Sequence, residues 1–140
     1  MLEFWTDGSA SPNPGPGGYA VIAGGKPVAL GSEPGETTNI RMEACALAAA
    51  MGQAKGEKCK IHTDSEFWIN VLTKWAAGWR ANDWHKKTKG EIQNLDLVKK
   101  LYGLYQDSDV ELVWVRGHND NEYNELADEW ANKARKGARL

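Results

Sequence analysis

Residues 2–18 read LEFWTDGSASPNPGPGG, and this stretch decides the fold class. Leu2 to Thr6 is apolar and β-prone and runs into Asp7-Gly8-Ser9, a turn signal. A strand is therefore predicted over 2–6 with Asp7 at its C-terminal lip. The following SPNPGPGG holds three of the chain's five prolines and three glycines. It predicts a shaped loop through which neither helix nor ladder runs. Gly18 to Ala23 reads as a second strand, Gly24-Gly25 as a turn, and Val28 to Leu30 as a third, edge strand beside Pro27.

Outward from this meander, SEPGETTN reads as a polar loop, and Arg41 to Lys55 is rich in strong helix formers, with Glu43 in its first turn near an Asn39 cap. Lys60 to Thr63 is a short strand ending at Asp64-Ser65, which repeats the situation of Asp7, and Glu66 to Ala76 resumes helical periodicity. Glu91 to Tyr105 shows apolar residues at helical spacing, Val110 to Val115 is the last strand, and Asn124 to Arg135 is a closing helix. The order predicts an α/β fold with a five-stranded mixed sheet, three strands antiparallel and two added in parallel, flanked by helices.

The chain has 140 residues, 41% of them hydrophobic, which suits one domain over 1–140 with a single core. No apolar run approaches a membrane span, and the N-terminus lacks a secretory pattern, so a cytoplasmic, non-membrane protein is expected, as a monomer. Cys45 and Cys59 have no metal-ligand spacing and are expected as buried, reduced thiols. The net charge of -2 excludes a broadly basic nucleic-acid coat. Yet residues 74–100 carry seven basic side chains against three acidic ones, with Trp75, Trp79 and Trp84 among them.

In an α/β sheet the ligand crevice lies beyond the C-terminal ends of parallel strands, which places Asp7 and Asp64 together if their strands are neighbours. Glu43 could enter from its helix, and Asp128, one turn after Asn124, from the last helix. Crowded carboxylates must protonate or bind cations, and hard oxygen donors suit Mg²⁺ or Mn²⁺. Taken singly, each residue has an ordinary alternative as a cap, a turn former or a solvated charge.

Five motifs in order, TDGSASPNPGPGGYA, TTNIRMEACAL, HTDSEF, VRGHND and NELADEWA, resemble those of the type 1 ribonuclease H family over essentially the whole chain. The resemblance implies a ribonuclease H-like fold and an endonuclease that hydrolyses the RNA strand of RNA–DNA hybrids, leaving 5′-phosphate and 3′-hydroxyl ends. It implies that Asp7, Glu43, Asp64 and Asp128 hold two Mg²⁺ ions at the scissile phosphate, one to activate water and one to stabilise the leaving oxygen. His118 matches a mobile-loop histidine that moves protons or helps product leave. Gly8, Ser9, Asn13, Asn39 and Asn124 match positions near the hybrid, Thr38 and Asn94 a DNA-phosphate grip, and Trp75 and Trp79 the DNA-strand channel. Trp75 and Trp79, one helical turn apart, could equally pack as core. His62 and His85 are expected as structural or exposed.

Two positions depart from the pattern. Ile40 stands where many members have Asn, and Glu66 where many have Gln, so substrate grip is expected to be weaker or more salt-sensitive. Competing readings are a DNA-cutting nuclease or transposase of the wider superfamily, a non-catalytic hybrid-binding module and a metal phosphatase. The first lacks a use for the Gly-Pro and Gly-His loops, the second would be missing a carboxylate, and the third leaves the basic segment unexplained.

Overall fold

The computed structural model describes residues 2–86, 90–116 and 122–140. The chain runs β1 (Leu2–Ala10), β2 (Gly15–Ala23), β3 (Lys26–Thr37), α1 (Asn39–Ala54), β4 (Cys59–Thr63), α2 (Glu66–Asn70), a π-helical turn (Val71–Trp75), α3 (Ala76–Ala81), α4 (Leu95–Gln106), β5 (Val110–Trp114) and α5 (Glu122–Arg135). The sheet order is β3-β2-β1-β4-β5, with β1, β2 and β3 antiparallel and β4 and β5 added in parallel. The mixed sheet expected from the sequence is the one observed.

Several boundaries differ. β1 does not stop at the Asp-Gly-Ser signal but continues to Ala10, because β2 supplies ladder partners as far as Gly17. The ladder also enters the proline-rich stretch, which the sequence reading held to be impossible. β2 starts at Gly15, leaving only Ser11 to Asn13 and Pro14 as the turn, and Pro16 sits across a register shift between Gly15 and Gly17 where no regular donor is demanded. β3 is 12 residues long rather than three, since the polar SEPGET segment pairs along β2 as an edge strand with an exposed outer side. The cap of α1 is Thr38, whose hydroxyl oxygen accepts from Arg41 N–H at 3.2 Å; Asn39 is the first helical residue, which moves Glu43 beyond the first turn. α4 begins at Leu95, not Glu91, after Asn94 in a left-handed conformation (φ 57°).

One face of the sheet packs on α1, the α2–α3 segment and α4 around Trp68, Leu47, Ile61, Val71, Val98 and Leu101, all 2% exposed or less. Each such side chain contributes about 1.5–3 kcal/mol on burial. Trp68 also anchors α2 to α1 by donating its Nε1–H to the Ile40 carbonyl at 2.7 Å. The π turn keeps Val71, Leu72 and Ala76 inward and turns Thr73, Lys74 and Trp75 out. The other face carries α5, whose Ala127 packs over Trp5 and Ile22. There His62 stacks on Trp5 with ring centroids 4.4 Å apart and planes 3° from parallel, and its Nε2 lies 2.7 Å from Glu3 Oε2, which makes it structural as expected. Cys59 is buried and Cys45 only half-buried, both as free thiols; the half-exposure of Cys45 corrects the expectation and follows from its place on the α1 flank facing Arg41 and Lys100.

Two glycines set how closely the helices approach. A Cβ on Gly8 would overlap the backbone of Met42 and Glu43 in α1, and one on Gly18 would overlap the backbone of Ala131 and Arg135 in α5. Both clashes are with helix backbone, which cannot step aside as a flexible side chain would. Gly8→Ala is therefore expected to destabilise by about 2 kcal/mol or more. Gly52→Ala, on the exposed side of α1 with open space around it, should instead stabilise by about 0.5–1 kcal/mol. Urea unfolding followed by circular dichroism compares the two.

Candidate active site

The parallel register of β1 with β4 pairs Trp5 with His62. Continued by two residues, it brings Asp7 and Asp64 side by side on the same face. Glu43 is carried over β1 by the contact of α1 at Gly8. Asp7, Glu43 and Asp64 each turn a carboxylate oxygen into one space, all three within 4.8 Å of one another. Asp128, half-buried on α5, hydrogen-bonds the Asp7 carboxyl from the opposite side. All four acids of the sequence reading therefore meet, although they come from four elements.

Pairs of carboxylates at about 4 Å repel by on the order of 4 kcal/mol at an intermediate dielectric, and burial adds to the cost of charging them. Asp7, 5% exposed, is held well above the ordinary carboxylate range, first by burial and then by Asp64 and Asp128, with the Gly8 backbone N–H opposing. Glu43 is pushed up to about 7, by burial and then by Asp64, against a hydrogen bond from Ser65. Ser65 does two things there. Its oxygen caps α2 by accepting from Trp68 N–H at 3.3 Å, which leaves its proton for Glu43.

Such a pocket takes protons unless a cation replaces them. Its oxygen-only donors fit a hard divalent ion rather than zinc, since among the described residues no Cys or His joins the group. Sequence reasoning missed Ser65, although a serine immediately before a helix start is a cap signal.

The remaining expected residues divide into those near the pocket and those away from it. Ser9, two residues beyond Asp7, donates its hydroxyl proton to Asn132 Oδ1 at 3.2 Å. Asn13 and Asn39 tie the proline loop to α1: Asn13 Oδ1 accepts from Asn39 N–H at 3.2 Å, and Asn39 Oδ1 accepts from Ala10 N–H at 2.7 Å. Asn124 is 3% exposed, one turn before Asp128. Thr38 and Asn94 are joined through Arg41, which donates its backbone N–H to Thr38 and its Nη1 to Asn94 Oδ1 at 3.2 Å while pairing with Asp96 at 2.8 Å.

Trp75 is 42% exposed, whereas Trp79 is half-buried against the core, with ring centroids 6.0 Å apart. Core packing thus describes Trp79 and not Trp75. Ile40 packs partly against the core, and Glu66 is exposed in the first turn of α2, where a negative charge suits the helix dipole. His85 is exposed. His118 and its neighbour Gly117 lie outside the described residues, as do Lys87 and Lys89.

The raised Glu43 value has a sign. In the folded state Glu43 keeps its proton to about 7, against an ordinary 4.5, so the native state binds the extra proton between those values. Its contribution to metal-free stability is full below about pH 4.5 and is lost as pH rises through 7, by up to ~3 kcal/mol. Glu43→Gln removes that loss. With chelator present the variant should be more stable than the parent at pH 8 and equal to it near pH 4.5, as read by urea unfolding at the two values.

The ribonuclease H family model matches residues 1–136. Ribonuclease H of Granulibacter bethesdensis is 42% identical over 140 residues, covering 96% of this chain and 92% of its own. That of Gluconobacter oxydans is 38% identical over 139 residues, covering 96% and 91%. Among solved structures, LC9-RNase H1, a type 1 RNase H with the type 2 active-site motif, matches at TM-score 0.78 and 27% identity over 99% of this chain and 73% of its own. The foamy viral protease-reverse transcriptase in complex with RNA/DNA hybrid shares the fold at TM-score 0.76 and 20% identity, over 98% of this chain and 20% of that one. With its sheet order, its carboxylate pocket and these matches, the chain belongs to the ribonuclease H family.

Proposed function

We propose that Asp7, Glu43, Asp64 and Asp128 are the residues with which this ribonuclease H performs its reaction, that they hold two Mg²⁺ ions, for which Mn²⁺ can substitute, and that 1–140 forms one catalytic domain. The family's activity is metal-dependent endonucleolytic cleavage of the RNA strand of RNA–DNA hybrids. The observation that carries the residue assignment is the convergence of three carboxylates within 4.8 Å, with a fourth, Asp128, hydrogen-bonded to Asp7. When bound, the ions supply a nucleophilic water near neutral pH and stabilise charge on the leaving oxygen, which gives 5′-phosphate and 3′-hydroxyl ends.

The protein's own groups do the rest. The carboxyls, with Asp7 buried and Glu43, Asp64 and Asp128 half-buried, are fixed relative to one another by β1, the end of β4 and the two helices. Ser65 keeps Glu43 turned into the pocket. Thr38, whose oxygen is taken by Arg41 N–H, retains a proton for a DNA phosphate oxygen, and Asn94 beside it offers its amide. Exposed Trp75, with the described basic residues Lys74, Arg80 and Lys86, lines the path of the DNA strand, where a flat ring stacks on sugar and base without reading sequence. Trp79 supports Trp75 from the core side.

Ser9, Asn13 and Asn39, with backbone groups at Gly8, approach the RNA minor groove, where 2′-hydroxyls distinguish RNA from DNA, while buried Asn124 supports the adjoining turn of α5. His118 assists product release. The protein acts as a cytoplasmic monomer; among the described residues no helix is long and apolar enough to cross a membrane.

Incubation with an RNA–DNA hybrid, an RNA duplex and a DNA duplex, in Mg²⁺ and in chelator, should give cleavage of the hybrid alone and only with metal. Asp7→Asn keeps the volume but removes a negative ligand, and should reduce hybrid cleavage by at least about 1000-fold while leaving hybrid binding in place. Retained cleavage would remove Asp7 from its role.

Glu66 presents a charge toward phosphates from the exposed start of α2. Glu66→Gln is expected to tighten hybrid binding by about twofold to fivefold at low salt, with the gain shrinking as salt rises. Fluorescence anisotropy with a labelled hybrid in Ca²⁺ measures this.

A further inference from the structure

On the face of β1 that carries Asp7, the next residue outward is Ser9, and on α5 the next residue in line after Asp128 is Asn132. β1 and α5 therefore meet in two successive rungs, Asp7 with Asp128 and Ser9 with Asn132, spaced by about 6–7 Å. The first rung belongs to the acid cluster. The second has a fixed hydrogen-bond direction, which can be followed link by link.

Arg135 begins it. Its backbone is pressed onto β2 at Gly18, and its Nη2 lies 3.4 Å from Asn132 Oδ1. A guanidinium has donors and no acceptor, so the Asn132 atom that faces it must be the carbonyl oxygen. That orients the amide. The same oxygen lies 3.2 Å from Ser9 Oγ, so the serine must be the donor in that contact. A hydroxyl whose single proton is committed in this way offers only lone pairs to a third group. Without the arginine, the amide could flip, present its NH₂ to Ser9 and release the hydroxyl proton.

We propose that Asn132 and Arg135 are positioning residues that set the polarity of the Ser9 hydroxyl, so that Ser9 accepts a hydrogen bond from a ribose 2′-hydroxyl beside the scissile phosphate and discriminates RNA by a proton that DNA does not have. The inference rests on the reading of Ser9 as a residue facing the RNA strand. It adds which atom does the sensing, in which direction, and which two side chains enforce it.

The direction makes a test that a purely structural role would not pass. A 2′-fluoro group is close in size to hydroxyl and keeps weak acceptor character but has no proton to give. Hybrids in which one ribose at a time near the cut is 2′-fluoro should, at one position, lower kcat/KM of the parent protein by about fivefold to tenfold, the worth of one hydrogen bond. In Ser9→Ala and in Asn132→Leu that penalty should fall below about twofold. Asn132→Asp, which keeps an oxygen between Ser9 and Arg135, should restore it, and Arg135→Met should reduce it.

A penalty that survives Asn132→Leu unchanged, or that appears at no ribose, overturns the inference while leaving the nuclease reading intact. Failure of the parent to cut the all-ribose hybrid overturns both. Loss of activity in Asn132→Leu on every substrate alike, with the 2′-fluoro ratio preserved, assigns Asn132 to folding alone and likewise overturns the inference.

Discussion

Four carboxyl groups that repel one another are kept in one small volume by the packing of two helices against opposite faces of a single strand. β1 is that strand. α1 comes down on it at Gly8, bringing Glu43, while α5 crosses the other face, bringing Asp128 and closing on the neighbouring strand at Gly18. β4 adds Asp64 through its parallel register. The repulsion in the pocket, several kcal/mol without a cation, is small beside the burial of Trp68, Leu47, Ile61 and their neighbours on one face and Trp5, Ile22 and Ala127 on the other. The core holds the acids in place, and they are free to act as ligands because their own interactions are not needed for folding.

How far this was legible in the sequence depended on the range of each interaction. Asp7 and Asp64 were readable because a strand-ending acid is a local pattern, and their meeting required only that β1 and β4 be neighbours. Glu43 and Asp128 were readable through motifs rather than through spacing, since nothing local says where α1 and α5 cross the sheet. The errors were of the opposite kind. Local signals such as Asp-Gly-Ser and the Pro-Gly run ended β1 too early and started β2 too late, because a partner strand supplied a ladder that turn chemistry alone did not predict. The edge strand β3 was read at a quarter of its length for the same reason.

Thr38 and Asn39 show the finer limit. Both are residues that cap helices, and the sequence does not say which takes the cap. The fold decides it, because Asn39 is drawn away to the Ala10 N–H and the Asn13 side chain. Asn132 was invisible for a stronger reason: its partner Ser9 is 123 residues away. The helix arithmetic that linked Asn124 to Asp128, run one turn further, reaches Asn132, but only the sheet register reveals what waits there. Trp75 and Trp79 could not be separated by periodicity, and the π turn explains why, since one widened turn rotates the residues after Val71 relative to a regular helix.

The distribution of charge has a consequence for how the hybrid is engaged. The chain is slightly acidic overall, three of its carboxylates meet in the pocket, and residues 74–100 carry seven basic side chains against three acidic ones. On the proposed reading, a phosphate backbone approaching the carboxylates without cations would be repelled, which assigns the hold on the duplex to Trp75 and the basic segment. Cation and hybrid then each raise the affinity of the other, by the reciprocity of linked binding. Arg41 ties Thr38, Asn94 and Asp96 into one unit at the start of α1. The same helix carries Glu43 one turn onward, so the proposed DNA grip and the acid pocket are fixed relative to each other by a single rigid element.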